Sequence, residues 1–285
     1  VDRDDDVGGL GCEGFVVLGG GGYYWYTQQS NSAGTTLSNN AAPTATVDTT
    51  DEEIDWDALP TTEVALTNET LTVSEAGTYV LTGSTNAGVV VTSDSNVRLV
   101  LNDATIGNTN GAAIVTESAE YLLIQTQTGT TNVISDASTR SNTDIDGAIY
   151  AQNNLTIMGE GILNVTANYA DGIVSKDDLK ITSGTVNVTS VDDGVRGRDT
   201  LAVTGGVITI DADGDGIKAN NDEDSEKGNL YITGGTITVT SGDDAIKAEE
   251  KLIIDDCTIT VENSVEGIEA ATITINGGTI DIYAT

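Results

Sequence analysis

Apolar and polar residues alternate in short runs over most of the chain, and in the C-terminal half these runs recur in a fixed order. Leu179 and Ile181 are followed by Ser183-Gly184 and then by Val186 and Val188. The same order returns as Leu201 and Val203, Gly205-Gly206, Ile208 and Ile210, and again as Leu230 and Ile232, Gly234-Gly235, Ile237 and Val239. It continues through Leu252, Ile254, Ile259 and Val261, and closes with Ile273, Ile275, Gly277-Gly278, Ile280 and Ile282. A period of two predicts strands with one face turned inward, because successive side chains of an extended chain point to opposite sides. Gly, Asn and Asp fall between the runs, where they supply turns and would break a helix.

A second motif, acid-Gly-aliphatic, recurs in step with these sets. It stands at Asp146-Gly147-Ala148, Asp171-Gly172-Ile173, Asp193-Gly194-Val195, Asp215-Gly216-Ile217, Asp244-Ala245-Ile246 and Glu266-Gly267-Ile268, with spacings of 25, 22, 22, 29 and 22 residues. Three short strands inside each repeat predict one triangular coil of a parallel solenoid. An antiparallel sandwich has no reason to repeat the same residue types at a fixed interval. The expected fold is therefore all-β: a right-handed single-stranded parallel β-helix with about 22 residues per coil. The longer spacings mark insertions, the larger being the polar run Asn220 to Asn229. From Thr78 to Ile134 the alternation is less regular, in Tyr79–Leu81, Val89–Val91, Val97–Leu101, Ala113–Val115 and Leu122–Ile124, and predicts the first coils. Eight or nine coils stacked about 4.8 Å apart make a rod about 40 Å long. Both prolines, Pro43 and Pro60, precede the repeats, so nothing interrupts the ladders.

The pattern divides the chain into an N-terminal extension, 1–60, and a β-helix domain, 61–285. The extension has no repeat. Its Gly-broken apolar stretch contains Phe15, Val16, Val17, Leu18, Tyr23, Tyr24, Trp25 and Tyr26, and a Ser/Thr/Asn-rich linker follows from Gln28 to Thr50. Such a stretch reads as a strand or docking segment. Added to the sheet of a neighbouring copy, it would give a homo-polymeric filament built on head-to-tail contacts. Cys12 and Cys257 fit free thiols, one disulfide or a cross-link between subunits, and are too few and too far apart for a zinc cluster or a CxxC pair. The start Val1-Asp2-Arg3-Asp4 lacks a basic leader, which fits a processed, secreted or cell-surface protein. No apolar run reaches the roughly 18 residues of a transmembrane span.

Composition narrows the chemistry. With 45 acidic and 11 basic residues the formal charge is -34, which excludes a nucleic-acid partner because phosphate binding needs a Lys/Arg surface. An acidic surplus also serves solubility or adaptation to salt. The absence of histidine removes Ser-His-Asp and Cys-His nucleophile pairs and histidine zinc sites.

The placement of the acids says more than their number. Equivalent positions of successive coils stack, so Asp171, Asp193, Asp215, Asp244 and Glu266 form a carboxylate column, thickened by Asp192, Asp213 and Asp243. Unit charges about 4.8 Å apart repel by roughly 3 to 4 kcal/mol at an effective dielectric near 20. Hard divalent cations relieve such a column with oxygen ligands, and calcium accepts the irregular geometry of turns. A second cluster comprises Asp177, Asp178, Asp199 and Asp222 with Asn220, Asn221, Glu249 and Glu250. Solvated turn acids are the alternative reading of both. Arg196, Lys218 and Lys247 each stand two residues after the Gly/Ala of the motif and form a basic column. Ion pairing with the Asp column accounts for them; the functional reading is contact with sugar carboxylates that calcium bridges to the aspartates. A calcium-dependent uronate lyase with Lys218 or Arg196 as base is a further possibility, although no spacing singles one out.

The segments Asn168-Tyr-Ala-Asp-Gly-Ile-Val-Ser-Lys-Asp-Asp-Leu-Lys-Ile-Thr-Ser-Gly184, Asp192-Asp-Gly-Val-Arg-Gly-Arg-Asp199 and Gly214-Asp-Gly-Ile-Lys-Ala-Asn-Asn-Asp222, with Gly77-Thr-Tyr-Val-Leu-Thr-Gly83, carry a family resemblance. Over residues 62–285 the chain resembles the bacterial carbohydrate-binding β-helix family typified by a clostridial cellulose- and polygalacturonate-binding surface protein. The resemblance implies a pectate-lyase-like right-handed parallel β-helix, calcium at Asp-rich turns, affinity for cellulose and acidic sugars without catalysis, and an extracellular location. Ala245 in place of the motif glycine, Glu266 in place of the aspartate, and residues 1–60 depart from that pattern.

Overall fold

The structure, a computed structural model, describes residues 54–284 in full and the backbone of 13–18 and 22–27. The strands Glu13–Leu18 and Gly22–Thr27, which hold Phe15, Val16, Val17, Leu18, Tyr23, Tyr24, Trp25 and Tyr26, pair antiparallel as a hairpin. Cys12 and the linker lie outside the described residues. No helix among the described residues is long and apolar enough to cross a membrane.

From Thr61 the chain winds as a parallel β-helix, each strand pairing with its equivalent one coil later. Among the described residues nine strands stack on the face that concerns function: Leu71–Val73, Val89–Val91, Ile114–Thr116, Gly147–Ala151, Asp171–Ser175, Val195–Gly197, Ile217–Ala219 and the first halves of Asp244–Ile254 and Glu266–Ile275. We call this face one. Face two includes Tyr121–Thr126, Asn154–Gly159, Asp178–Ile181, Thr200–Val203 and Asn229–Ile232; face three includes Thr131–Ser135, Ile162–Ala167, Thr185–Ser190, Val207–Ala212, Thr236–Ser241, Thr258–Asn263 and Thr279–Ile282.

The alternation seen in sequence becomes vertical stacks. On face two Leu122, Leu155, Leu179, Leu201, Leu230 and Leu252 sit in one register and are at most 1% exposed. On face one Ile114, Ile149, Ile173, Val195, Ile217, Ile246 and Ile268 do the same. Burying each such side chain stabilises by roughly 1.5 to 3 kcal/mol, and the stacks together form one continuous core.

The motif glycine is required by close approach. A Cβ on Gly194 would lie 2.5 Å from Ile210 Cγ2 and 2.6 Å from the Gly216 carbonyl oxygen, so the inward side chain of face three and the next coil both exclude it. At the corner between faces two and three, Gly184, Gly206, Gly235 and Gly278 all adopt φ of 92° to 98°, a region that L side chains rarely enter.

Several features depart from the expected three separate strands per coil, among them Asp244–Ile254 and Glu266–Ile275, which run from face one into face two. Gly77–Thr85 and Val97–Gly107 run through the corner between faces two and three, and in the latter Asp103 supplies the positive φ of 52° while its Oδ1 accepts the Thr131 N–H. The Asp146 motif is also offset by one residue, since Gly147 rather than Asp146 stands beside Asp171. The preceding insertion causes the offset. There Arg140 is buried against Asp136, donates to the carbonyls of Ile145 and Gly147, and lies 4.2 Å from the centre of the Tyr169 ring.

Candidate functional site

The chain passes from face three to face one through a turn that recurs in every coil, and the aspartate motif stands at its end. Asp171, Asp193, Asp215 and Asp244 are brought into one column with exposures of 3, 7, 3 and 2%. Beside Asp171, Asp193 and Asp215 the adjacent glycine lets the coils close together, so the acid is held beneath the next turn; Asp244 is as deeply buried with Ala245 in that place.

Three of these four carboxylates accept an N–H from the next coil. Asp171 Oδ1 accepts the Asp193 N–H at 3.2 Å, Asp193 Oδ1 accepts that of Asp215 at 3.0 Å, and Asp215 Oδ1 accepts that of Asp244 at 2.9 Å. The basic column supplies the rest. Arg196 donates through Nε to Asp171 at 2.8 Å, pairs with Asp146 at 2.5 Å and stands 3.7 Å from Asp193. Lys218 bridges Asp193 and Asp215 at 3.2 and 2.6 Å, and Lys247 bridges Asp244 and Glu269, each at 2.7 Å. The relief that the sequence assigned to metal is therefore shared with backbone N–H donors and three cations. Of the two roles read for Arg196, Lys218 and Lys247, the structure displays ion pairing; their side chains keep 8, 23 and 26% exposure.

The compensation is incomplete. Asp244 Oδ1 and Asp146 Oδ1 are buried with no hydrogen-bond partner among the described residues. Burial pushes Asp171 up to about 7 against the pull of Arg196. Burial likewise pushes Asp244 up to about 7, opposed by its hydrogen bond from Lys247 and reinforced by Glu269. Asp192 is raised by burial and by Asp193. Arg196 and Lys218 move upward too: burial works against their charge, and the facing aspartates outweigh it.

Three groups of acids gather oxygens within 4.8 Å of one another: Asp171, Asp192 and Asp193; Asp215, Asp243 and Asp244; and Asp244, Glu266 and Glu269. These clusters can hold a metal ion. Asp192 and Asp243 are exposed and present the outer side of the first two. Asp213, Asp177, Asp178, Asp199 and Asp222 belong to no such group among the described residues. Asp199 is instead claimed by Asn221 at 2.5 Å and by Lys227, whose pull overcomes burial and lowers it. Its neighbour Asp177 is pushed up to about 6 by burial and by Asp199. Asp222 is exposed on the insertion. Cys257 is a free, buried thiol, raised to about 11 by burial and the nearby Asp256 and Asp255.

Sequence reasoning missed Glu269, although the signal was there: it occupies the register of Lys247, two residues past the motif glycine. The same outward register reads, coil by coil, Thr72, Val90, Val115, Tyr150, Val174, Arg196, Lys218, Lys247 and Glu269. After Thr72 it is apolar for four coils and charged for four. Ala112, Val115, Tyr150 and Val174, with Ile145 of the insertion, form a second small apolar cluster outside the main core.

The family profile described as carbohydrate-binding domain-containing protein matches residues 67–285. A protein of the same description from Acetivibrio thermocellus is 34% identical over 124 residues, which is 41% of this chain and 43% of that relative, so the match spans less than half of either. Among solved structures, the polysaccharide lyase-like protein from C. thermocellum, in its gadolinium derivative, superposes with a TM-score of 0.74 at 30% identity, over 76% of this chain and 92% of that one.

Proposed function

Because the chain belongs to the carbohydrate-binding domain family, we propose that it is an extracellular, non-catalytic module that holds polysaccharide, acidic sugar polymers included, through calcium on its aspartate edge. The observation that carries this reading is the group of Asp215, Asp243 and Asp244, where three carboxylates converge and the buried Asp244 Oδ1 has no donor. A hard cation suits an all-oxygen set of this kind. When bound, calcium supplies the positive charge that attracts a sugar carboxylate to a strongly acidic surface. Lys218 and Lys247 neutralise the inner acids, and the exposed Asp243 is left for the outer side. The group at Asp171, Asp192 and Asp193 repeats the arrangement farther along the rod, as a polymeric ligand requires.

The non-catalytic part rests on the cations. A lysine acting as a base in the neutral range needs a lowered pKa, whereas Lys218 is raised by Asp215 and Asp193 despite its burial. Retention on polygalacturonate tests the proposal. With calcium the protein is expected to bind, and to be released by EDTA or by the double variant Asp192→Asn, Asp243→Asn. Binding indifferent to chelator and variant alike would remove calcium from the mechanism, and release of unsaturated uronate product would overturn the non-catalytic reading.

A further inference from the structure

In the three coils upstream of the insertion, the same turn has different chemistry. Asn68, Asn86 and Asn108 occupy it in successive coils and, with Thr109, Asn110 and Val90, line a cavity of about 510 Å³. That volume lies inside the range of about 300 to 1,000 Å³ usual for small-ligand sites. No charged residue lines it, in a chain of net charge -34. The turn is held open by its own bonds: Asn108 donates to the Ala112 carbonyl at 2.7 Å and accepts from the Asn110 N–H at 2.9 Å, while the Thr109 N–H reaches the Asn86 carbonyl at 3.2 Å. Gly88 makes room, since a Cβ there would meet Asn108 Nδ2 at 2.8 Å. The side-chain amides of Asn68, Asn86 and Asn110 make no hydrogen bond among the described residues. Each amide offers two donors and a carbonyl acceptor.

We infer that this cavity is a second carbohydrate site, separate from the aspartate edge, which takes neutral sugar units without metal. Three coils present amides at the roughly 4.8 Å spacing of stacked strands, on one side of a floor that begins at Val90 and continues to Val115 in an adjoining cavity of about 180 Å³. Amides answer the hydroxyls of a sugar and the valines its C–H face. A uronate is disfavoured, because nothing lining the larger cavity returns its charge. The inference rests on the family's carbohydrate binding and not on calcium, so the two sites fail independently.

The test uses the full chain on microcrystalline cellulose, with soluble neutral xylan and galactomannan as competitors, in EDTA. Wild type is expected to be retained, and the double variant Asn86→Ala, Asn110→Ala to bind at least tenfold more weakly with an unchanged melting temperature. The same variant should keep its calcium-dependent retention on polygalacturonate. Asn68→Ala, at an exposed position, is the milder variant should the double one melt early, and is expected to weaken binding several-fold. The site is overturned if the variants bind cellulose as wild type does, or if EDTA abolishes neutral-glycan binding by wild type.

Discussion

The turn from face three to face one is neutral in the coils of Asn68, Asn86 and Asn108, and acidic in those of Asp171, Asp193, Asp215 and Asp244. The two halves share the parallel winding and differ in the chemistry of this turn. In the acidic half each side chain depends on its neighbours above and below, through N–H donors and bridging cations. In the neutral half the amides bond within their own turn or face solvent. The neutral turns precede the Arg140 insertion and the acidic column follows it, whereas the outward register of face one turns from apolar to charged later, between Val174 and Arg196. A solenoid can thus carry two unlike surfaces on one scaffold, provided the coupling within each half does not cross the boundary.

The most disruptive test of that contrast is Arg196→Ala. It strands Asp171 and Asp146 with no counter-charge, and breaking a buried pair from one side costs about 3 to 5 kcal/mol. Urea denaturation should show the loss, whereas Asn86→Ala in the neutral half should leave the midpoint unchanged. A pH series in EDTA comes next. The folded values of Asp171 and Asp244, about 7, lie above the ordinary 3.8 of an unfolded aspartate, so bound protons favour the fold. Stability from these groups is full below about pH 4 and is lost as pH rises to about 7. The melting temperature should fall over that window, and added calcium should flatten the decline. A melting temperature that climbs through the window would show that these carboxyls ionise freely. The smallest effect is expected for Arg198→Ala. Its ion pair with Glu223 is at the surface, where such pairs contribute about 0 to 1 kcal/mol, and the urea midpoint should barely move.

Much of this was legible in the chain itself. Leu179, Leu201 and Leu230 reveal their stack because each inward position alternates with an outward one, and Asp171, Asp193 and Asp215 reveal their column because the spacing is constant. Legibility failed where register and residue type part company. Tyr150, Val174, Arg196 and Glu269 share one outward register, yet no similarity of side chain announces it. The one-residue offset at Asp146 comes from the path of an insertion, which a count of residues does not give. The donors that calm the aspartates are backbone N–H groups, and sequence does not spell the direction of an N–H. The asparagine turn was overlooked for a related reason: its members lie 18 and 22 residues apart, at Asn68, Asn86 and Asn108, before the spacing becomes regular.

The polar run between the strands Ile217–Ala219 and Asn229–Ile232 lengthens its coil without disturbing the match of Leu201 to Leu230. Asp222, Glu223, Asp224, Ser225 and Glu226 all face water there. Foreign peptide spliced at Asp224-Ser225 would leave the winding intact and be displayed as a side-branch at a known height on the shaft, beside the acidic half and away from the amide cavity.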